Sequence, residues 1–141
     1  MAQASLEPAP VEQTETGISA YDVDRAFERM EHFPSGNLEI LDGHPEAHRG
    51  AIIYRDPSGR LSLGVWDCPP GKFRLVEEDA TIERCIAGKA RLTDLSTGES
   101  IIVTPGMRWV VKPGTDMIWD VLEHFRKEYV AFGAWEEGRY W

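Results

Sequence analysis

From residue 64 to residue 129 the chain alternates short runs of β-branched and aromatic residues with Pro- and Gly-containing turns at nearly even spacing. That rhythm fits an all-β sandwich or barrel. The runs are 61–67 (LSLGVWD), 72–77 (KFRLVE), 81–87 (TIERCIA), 89–94 (KARLTD), 99–104 (ESIIVT), 107–112 (MRWVVK), 117–122 (MIWDVL) and 126–132 (RKEYVAF). Pro69-Pro70-Gly71, Ser96-Thr97-Gly98, Pro105-Gly106 and Pro113-Gly114 separate them.

Upstream, 50–55 (GAIIYR) and 61–67 flank Asp56-Pro57-Ser58-Gly59, a turn with Pro at a favoured position and Gly closing it. A hairpin over 50–67 is expected. Tyr21, Ala26, Phe27 and Met30 fall at helical spacing after Ser19, predicting one short amphipathic helix over roughly 20–32, ended by Pro34-Ser35-Gly36. Residues 1–18 are rich in Pro, Glu, Thr and Ser and predict a flexible arm; 19–141 form a single domain. The charged segment 123–128 (EHFRKE) is expected to be a solvated connection. Trp135, Tyr140 and Trp141 at the chain end are expected to dock on this subunit or a neighbour.

Composition narrows the function classes. The 141 residues suit one domain with an ordinary core, and 42% hydrophobic content with five Trp argues for a folded globule. A formal net charge of −9 repels phosphate backbones, so nucleic acid is not an expected partner. No apolar run is long enough to span a membrane, and MAQASLEPAPVEQTETG has neither a basic nor an apolar signal region, so a cytoplasmic location is expected. Cys68 and Cys85 sit in apolar runs and are expected to be buried free thiols.

Four segments, GVWDCPPGKFR at 64–74, IAGKARLTD at 86–94, the Pro105-Gly106 turn and WDVLEHFRKEYVAF at 119–132, carry a resemblance. Over about 64–132 the chain resembles the small cupins named after (S)-ureidoglycine aminohydrolase, the ethanolamine-utilisation-like cupins of the RmlC-like superfamily. The resemblance implies a double-stranded β-helix barrel, here with one short N-terminal helix, a ligand cavity in its mouth, and a homodimer. The segment TIERC is the least family-like part: Glu83 and Arg84 stand where an apolar or aromatic residue is expected, and Arg108-Trp109 add a similar ambiguity.

A metal cupin of this superfamily carries Gly, five residues, His-x-His, three or four residues, Glu, six residues, then Gly. With Gly88 as the last Gly, the Glu position is Thr81, and the paired His positions are Arg74 and Val76 or Leu75 and Glu77. Counting from Gly114 puts the second motif's His at Met117. None of these is His, whereas a transition metal needs about three or four converging N, O or S donors. His44 and His48 lie four apart around Pro45 in loop-like sequence, and His32 and His124 have no obvious counterpart. Glu77, Glu78, Asp79 and Glu83 read as a polar turn rather than a cation site. No metal and no cofactor are expected.

Strand alternation then selects the cavity lining. If Thr81 points inward, so do Glu83 and Cys85; if Met117 does, so do Trp119 and Val121. On the 72–77 run one parity turns Lys72, Arg74 and Val76 inward, the other Phe73, Leu75 and Glu77. The first is favoured here because Phe73 and Leu75 could pack between sheets. The ligand-binding candidates are therefore Lys72, Arg74, Glu83, Met117 and Trp119. Arg74 could grip a carboxylate, while Trp119 and Met117 pack an apolar body. An internal Arg74–Glu83 ion pair in a filled barrel is the competing arrangement.

Three functions follow. The first is a metal-free cupin of unspecified function binding a small molecule in its mouth, with an anion as one option. The second is an enzyme on a small polar nitrogen compound or acid, with Glu83 as candidate acid or base and Lys72 or Arg74 stabilising an anion. The third is a non-catalytic, dimerising accessory protein with a filled barrel.

Overall fold

The computed structural model describes residues 17–33 and 38–133. Along these the order is α1 (Val23–Glu28), β1 (Glu31–His32), β2 (Glu39–Gly43), a 3-10 turn (Pro45–Ala47), β3 (Arg49–Arg55), β4 (Leu61–Cys68), β5 (Gly71–Glu77), β6 (Ala80–Asp94), β7 (Ser100–Val103), β8 (Arg108–Val111) and β9 (Thr115–Phe132). The all-β class, the helix and the 50–67 hairpin agree with the sequence: β3 and β4 pair antiparallel, with Gly50 opposite Trp66 and Arg55 opposite Ser62. No helix among the described residues is long and apolar enough to cross a membrane.

The helix is shorter than periodicity predicts. Its cap is Asp22, not Ser19: the Asp22 carboxylate accepts from the amides of Asp24 and Arg25 at 3.0 and 3.3 Å. Beyond Met30 the chain is drawn into β1, where Glu31 and His32 pair with Gly50 and Arg49. The expected helix stop at 34–36, residues 1–16 of the expected arm over 1–18, and the aromatic end at 134–141 lie outside the described residues.

Two long strands organise the sheet. On one edge of β9, its first half pairs with β5 and its second half with β4. On its other edge β9 pairs with β6. The far edge of β6 carries β8 near its start and β7 near its end. The sheet curls so that the inner faces of these strands meet, as expected for a double-stranded β-helix. Trp66, Phe73, Leu92, Val103, Trp109, Trp119 and Phe125 form the interior. Phe73 and Phe125, each at most 1% exposed, contribute about 2–3 kcal/mol apiece through burial. A second apolar cluster lies outside the curl, where Ala26 and Phe27 of α1 cover Ala51, Ile53 and Val65.

The segment 123–128 is not a connection. It is mid-strand in β9, and its charges find partners on distant strands. On the outer face, His124 Nε2 lies 2.8 Å and Arg126 Nε 3.0 Å from Asp67 Oδ2, and Arg49 stands 3.3 Å from Oδ1. Asp67 is 1% exposed; burial works to raise its pKa, but the hydrogen bonds from His124 and Arg126 prevail and hold it below the usual range.

Gly88 interrupts the regular alternation of β6. Thr81, Glu83 and Cys85 are buried before it, and Ala90 and Leu92 after it, so the inward parity changes from odd to even. The register with β9 shifts at the same place. Gly88 has φ of 87°, and a Cβ there would stand 2.0 Å from the carbonyl oxygen of His124. Only glycine fits.

Candidate functional site

Alternation along four strands builds one cavity of about 320 Å³ within the curl. β5 contributes Phe73, Leu75 and Glu77, β6 contributes Thr81 and Glu83, and Asp79 comes from the turn between them. β9 supplies Trp119, Lys127, Tyr129 and Ala131, and β4 supplies Ser62 and Trp66. Phe33, Leu38 and His48 complete the wall. Gly64 lies between Ser62 and Trp66, where a Cβ would stand 2.6 Å from the Tyr129 hydroxyl, so the missing side chain makes room for that phenol. Burial raises the Tyr129 pKa and keeps the phenol neutral.

The polar centre is a chain of three side chains. Lys127 Nζ donates to Glu83 Oε1 at 2.5 Å, and Thr81 Oγ1 donates to Glu83 Oε2 at 2.6 Å. Aromatic faces surround the ammonium: its nitrogen is 4.6 Å from the centroid of Trp119, 4.8 Å from Trp66 and 5.8 Å from Tyr129. Phe73 stacks on Trp119 with an interplanar angle of 7°. Elsewhere on the wall, Trp66 Nε1 donates to His48 Nδ1 at 2.8 Å, both residues being buried. Burial first, and then the positive fields of His32 and Lys127, lower the His48 pKa to about 4, so the ring is neutral near pH 7.

Two other carboxyl groups line the cavity. Burial lifts the Glu77 pKa to about 7; Lys127 pulls it down and Glu83 pushes it up. The Asp79 pKa is also raised, by burial and then by Glu78. Both thiols are buried as expected; burial takes Cys68 up to about 12 and also raises Cys85.

The candidates read from the sequence divide. Glu83 and Trp119 line the cavity. Lys72 and Arg74 do not: β5 takes the other parity, and both are exposed on the outer face. The reason is apolar volume. Phe73 is 1% exposed against Trp119, whereas Val76, in phase with Arg74, is 45% exposed. Arg74 forms a bidentate pair with Asp116 at 3.0 and 2.8 Å, so the internal Arg74–Glu83 pair is not formed. Met117, 4% exposed, faces a separate cavity of about 250 Å³ with Leu92, Ile101 and Trp109. The indole N–H of Trp109 is buried without a hydrogen-bond partner among the described residues. Lys127, Trp66, His48 and Tyr129 are not among the candidates read from the sequence, and Glu77 enters there only through the parity that was not favoured. For Lys127 and Tyr129 the signal was present, since Met117, Trp119, Val121 and Phe125 share their parity on β9.

With Leu75 and Glu77 inward, the residues at the metal positions are Leu75, Glu77, Thr81 and Met117. One carboxyl, one hydroxyl already donating to Glu83, and two apolar side chains do not fit a transition metal. Among the described residues no group of three or more His, Cys, Asp and Glu is placed to hold a metal ion.

A family model for EutQ-like cupin domains matches residues 55–129, more than half of the 141-residue chain. The chain belongs to the EutQ-like cupin family. Among curated proteins none matches it. Solved structures show the same fold at low identity. The EutQ protein of Clostridium difficile is 15% identical, with a TM-score of 0.62 over 86% of this chain and 91% of that one. A putative ethanolamine utilization protein Q of Salmonella typhimurium is 17% identical, with a TM-score of 0.56 over 62% and 71%. An acetylacetone dioxygenase of Acinetobacter johnsonii is 9% identical, with a TM-score of 0.64 over 86% and 78%. Such distant likeness carries the cupin fold and not an activity. Within this EutQ-like cupin, Lys127 is the one ammonium or guanidinium lining the main cavity among the described residues.

Proposed function

We propose that this EutQ-like cupin binds a small organic molecule in the mouth of its barrel without a transition metal. The observation that carries the reading is the cavity of about 320 Å³, in which aromatic walls enclose a Lys127–Glu83–Thr81 chain. A small-molecule site combines apolar walls with a few fixed polar groups at about this volume. The same space argues against a filled barrel. An anion-gripping Arg74 is no part of the reading, because Arg74 is on the outer face with Asp116. Screening chelator-treated protein by thermal shift against small amines, acids, sugars and alcohols tests it. At concentrations well above Kd, a true ligand raises Tm by several degrees. A panel in which no class stabilises the protein, or one in which stabilisation needs an added metal, overturns the proposal.

A second reading is catalytic, and Glu77 favours it over Glu83. Both Glu83 oxygens already accept hydrogen bonds, from Lys127 and Thr81. Glu77, with its pKa near 7, sits where proton transfer at neutral pH is efficient. If a bound molecule is turned over, Glu77→Gln should remove turnover while leaving binding. Unchanged turnover in that variant rejects this role.

A further inference from the structure

Charge balance and wall chemistry narrow the ligand class. Three carboxyl groups line the cavity, those of Glu77, Asp79 and Glu83, against the single ammonium of Lys127. That ammonium is already committed to Glu83 at 2.5 Å, and its side chain is only 13% exposed. Glu77 and Asp79 form no ion pair among the described residues. An incoming anion would therefore meet two unbalanced carboxyl groups and a cation that is already neutralised. An incoming cation would meet unbalanced negative charge and the ring faces of Trp66, Trp119 and Tyr129, a wall that already holds one ammonium in place. The formal net charge of −9 on the whole chain also draws cations toward the protein.

We infer that the cavity selects a small organic cation, an amine with a compact apolar body, whose ammonium pairs with Glu77 while its body lies against Trp66, Phe73 and Trp119. This deepens the proposed binding role and rests on it. The groups facing Glu77 are Lys127, Glu83 and Asp79, with neutral His48 on the same wall. With its pKa raised to about 7, Glu77 is partly protonated at pH 7, so pairing with an ammonium releases protons, whereas a carboxylate ligand would draw protons in.

The test uses three probes that share one ring: cyclopentylamine, cyclopentanol and cyclopentanecarboxylate. Each is titrated calorimetrically into the full chain at pH 7, in two buffers of different ionisation enthalpy. Cyclopentylammonium should bind about tenfold or more tightly than cyclopentanol, with net proton release, and the carboxylate should bind most weakly. Glu77→Gln should remove the proton release and most of the preference for the amine. Tightest binding of the carboxylate, equal binding of amine and alcohol, or proton uptake with the amine overturns the inference and leaves the binding role standing. Failure of all three probes, together with the thermal-shift panel, overturns both.

Discussion

Lys127 of β9 and Glu83 of β6 meet 2.5 Å apart inside the barrel, with Glu83 only 2% exposed. The pair ties the two longest strands together at the cavity wall. Truncating one partner leaves the other charge buried without its counter-ion. Lys127→Met should cost about 3–5 kcal/mol of stability, and adding Glu83→Gln to it should recover most of the loss. Urea unfolding of the two single variants and the double variant measures the coupling. Simple additivity would mean that the pair does not act as a unit.

Glu77 and His48 pull pH dependence in opposite directions. The folded Glu77 pKa of about 7 exceeds its ordinary 4.5, so the folded state holds the extra proton between those values. Stability from Glu77 therefore falls as pH rises through that window, by at most about 3 kcal/mol. The folded His48 pKa of about 4 lies below its ordinary 6.5, so its contribution rises across that window and is present above it. The opposed slopes should nearly cancel from about pH 4.5 to 6.5 in the unaltered protein. Glu77→Gln should expose the rising limb and gain relative stability above pH 7. Urea midpoints measured against pH check this, and an identical profile in the variant would exclude a raised Glu77 pKa.

Arg74 marks the outer face. Its pair with Asp116 is half-exposed, and solvent screening leaves such surface pairs with little net stabilisation. Arg74→Ala should change Tm by no more than a few degrees and leave binding of any cavity ligand unaltered. A large loss of affinity in this variant would return Arg74 to the site.

Gly88 and Gly98 separate two costs. Both have positive φ, but a Cβ at Gly98 meets nothing within 4 Å, while one at Gly88 meets the His124 carbonyl at 2.0 Å. Gly98→Ala should cost about 1 kcal/mol. Gly88→Ala should cost about 4 kcal/mol or more, or fail to accumulate as folded protein. Similar melting curves for the two variants would contradict the close approach.

Turns and strand existence were legible because their causes are local. Asp56-Pro57-Ser58-Gly59 closes a hairpin on its own chemistry, and the Asp56 amide bonds back to Leu61. The helix end was not local: pairing of Glu31 and His32 with β3 overrode the spacing of Met30. The parity of β5 was ambiguous because both faces carry apolar residues, and stacking of Phe73 on Trp119, a contact across the sheet, decides it. The charged run at 123–128 looked solvated because its partners Asp67 and Glu83 lie some forty or more residues upstream. Long-range pairs of this kind leave little trace in a local pattern, and they are what build the cavity.

The change of phase at Gly88 lets the two halves of β6 answer to different demands. Compensated substitutions at Thr81 and Glu83 can rewrite the cavity wall while Ala90 and Leu92 keep their places. One residue gained or lost between 86 and 89 does the reverse. It leaves the remaining side chains unchanged and turns half of the strand inside out. Chemistry at the mouth of this barrel can thus change by replacements that compensate one another, while the strand's length at this one point cannot.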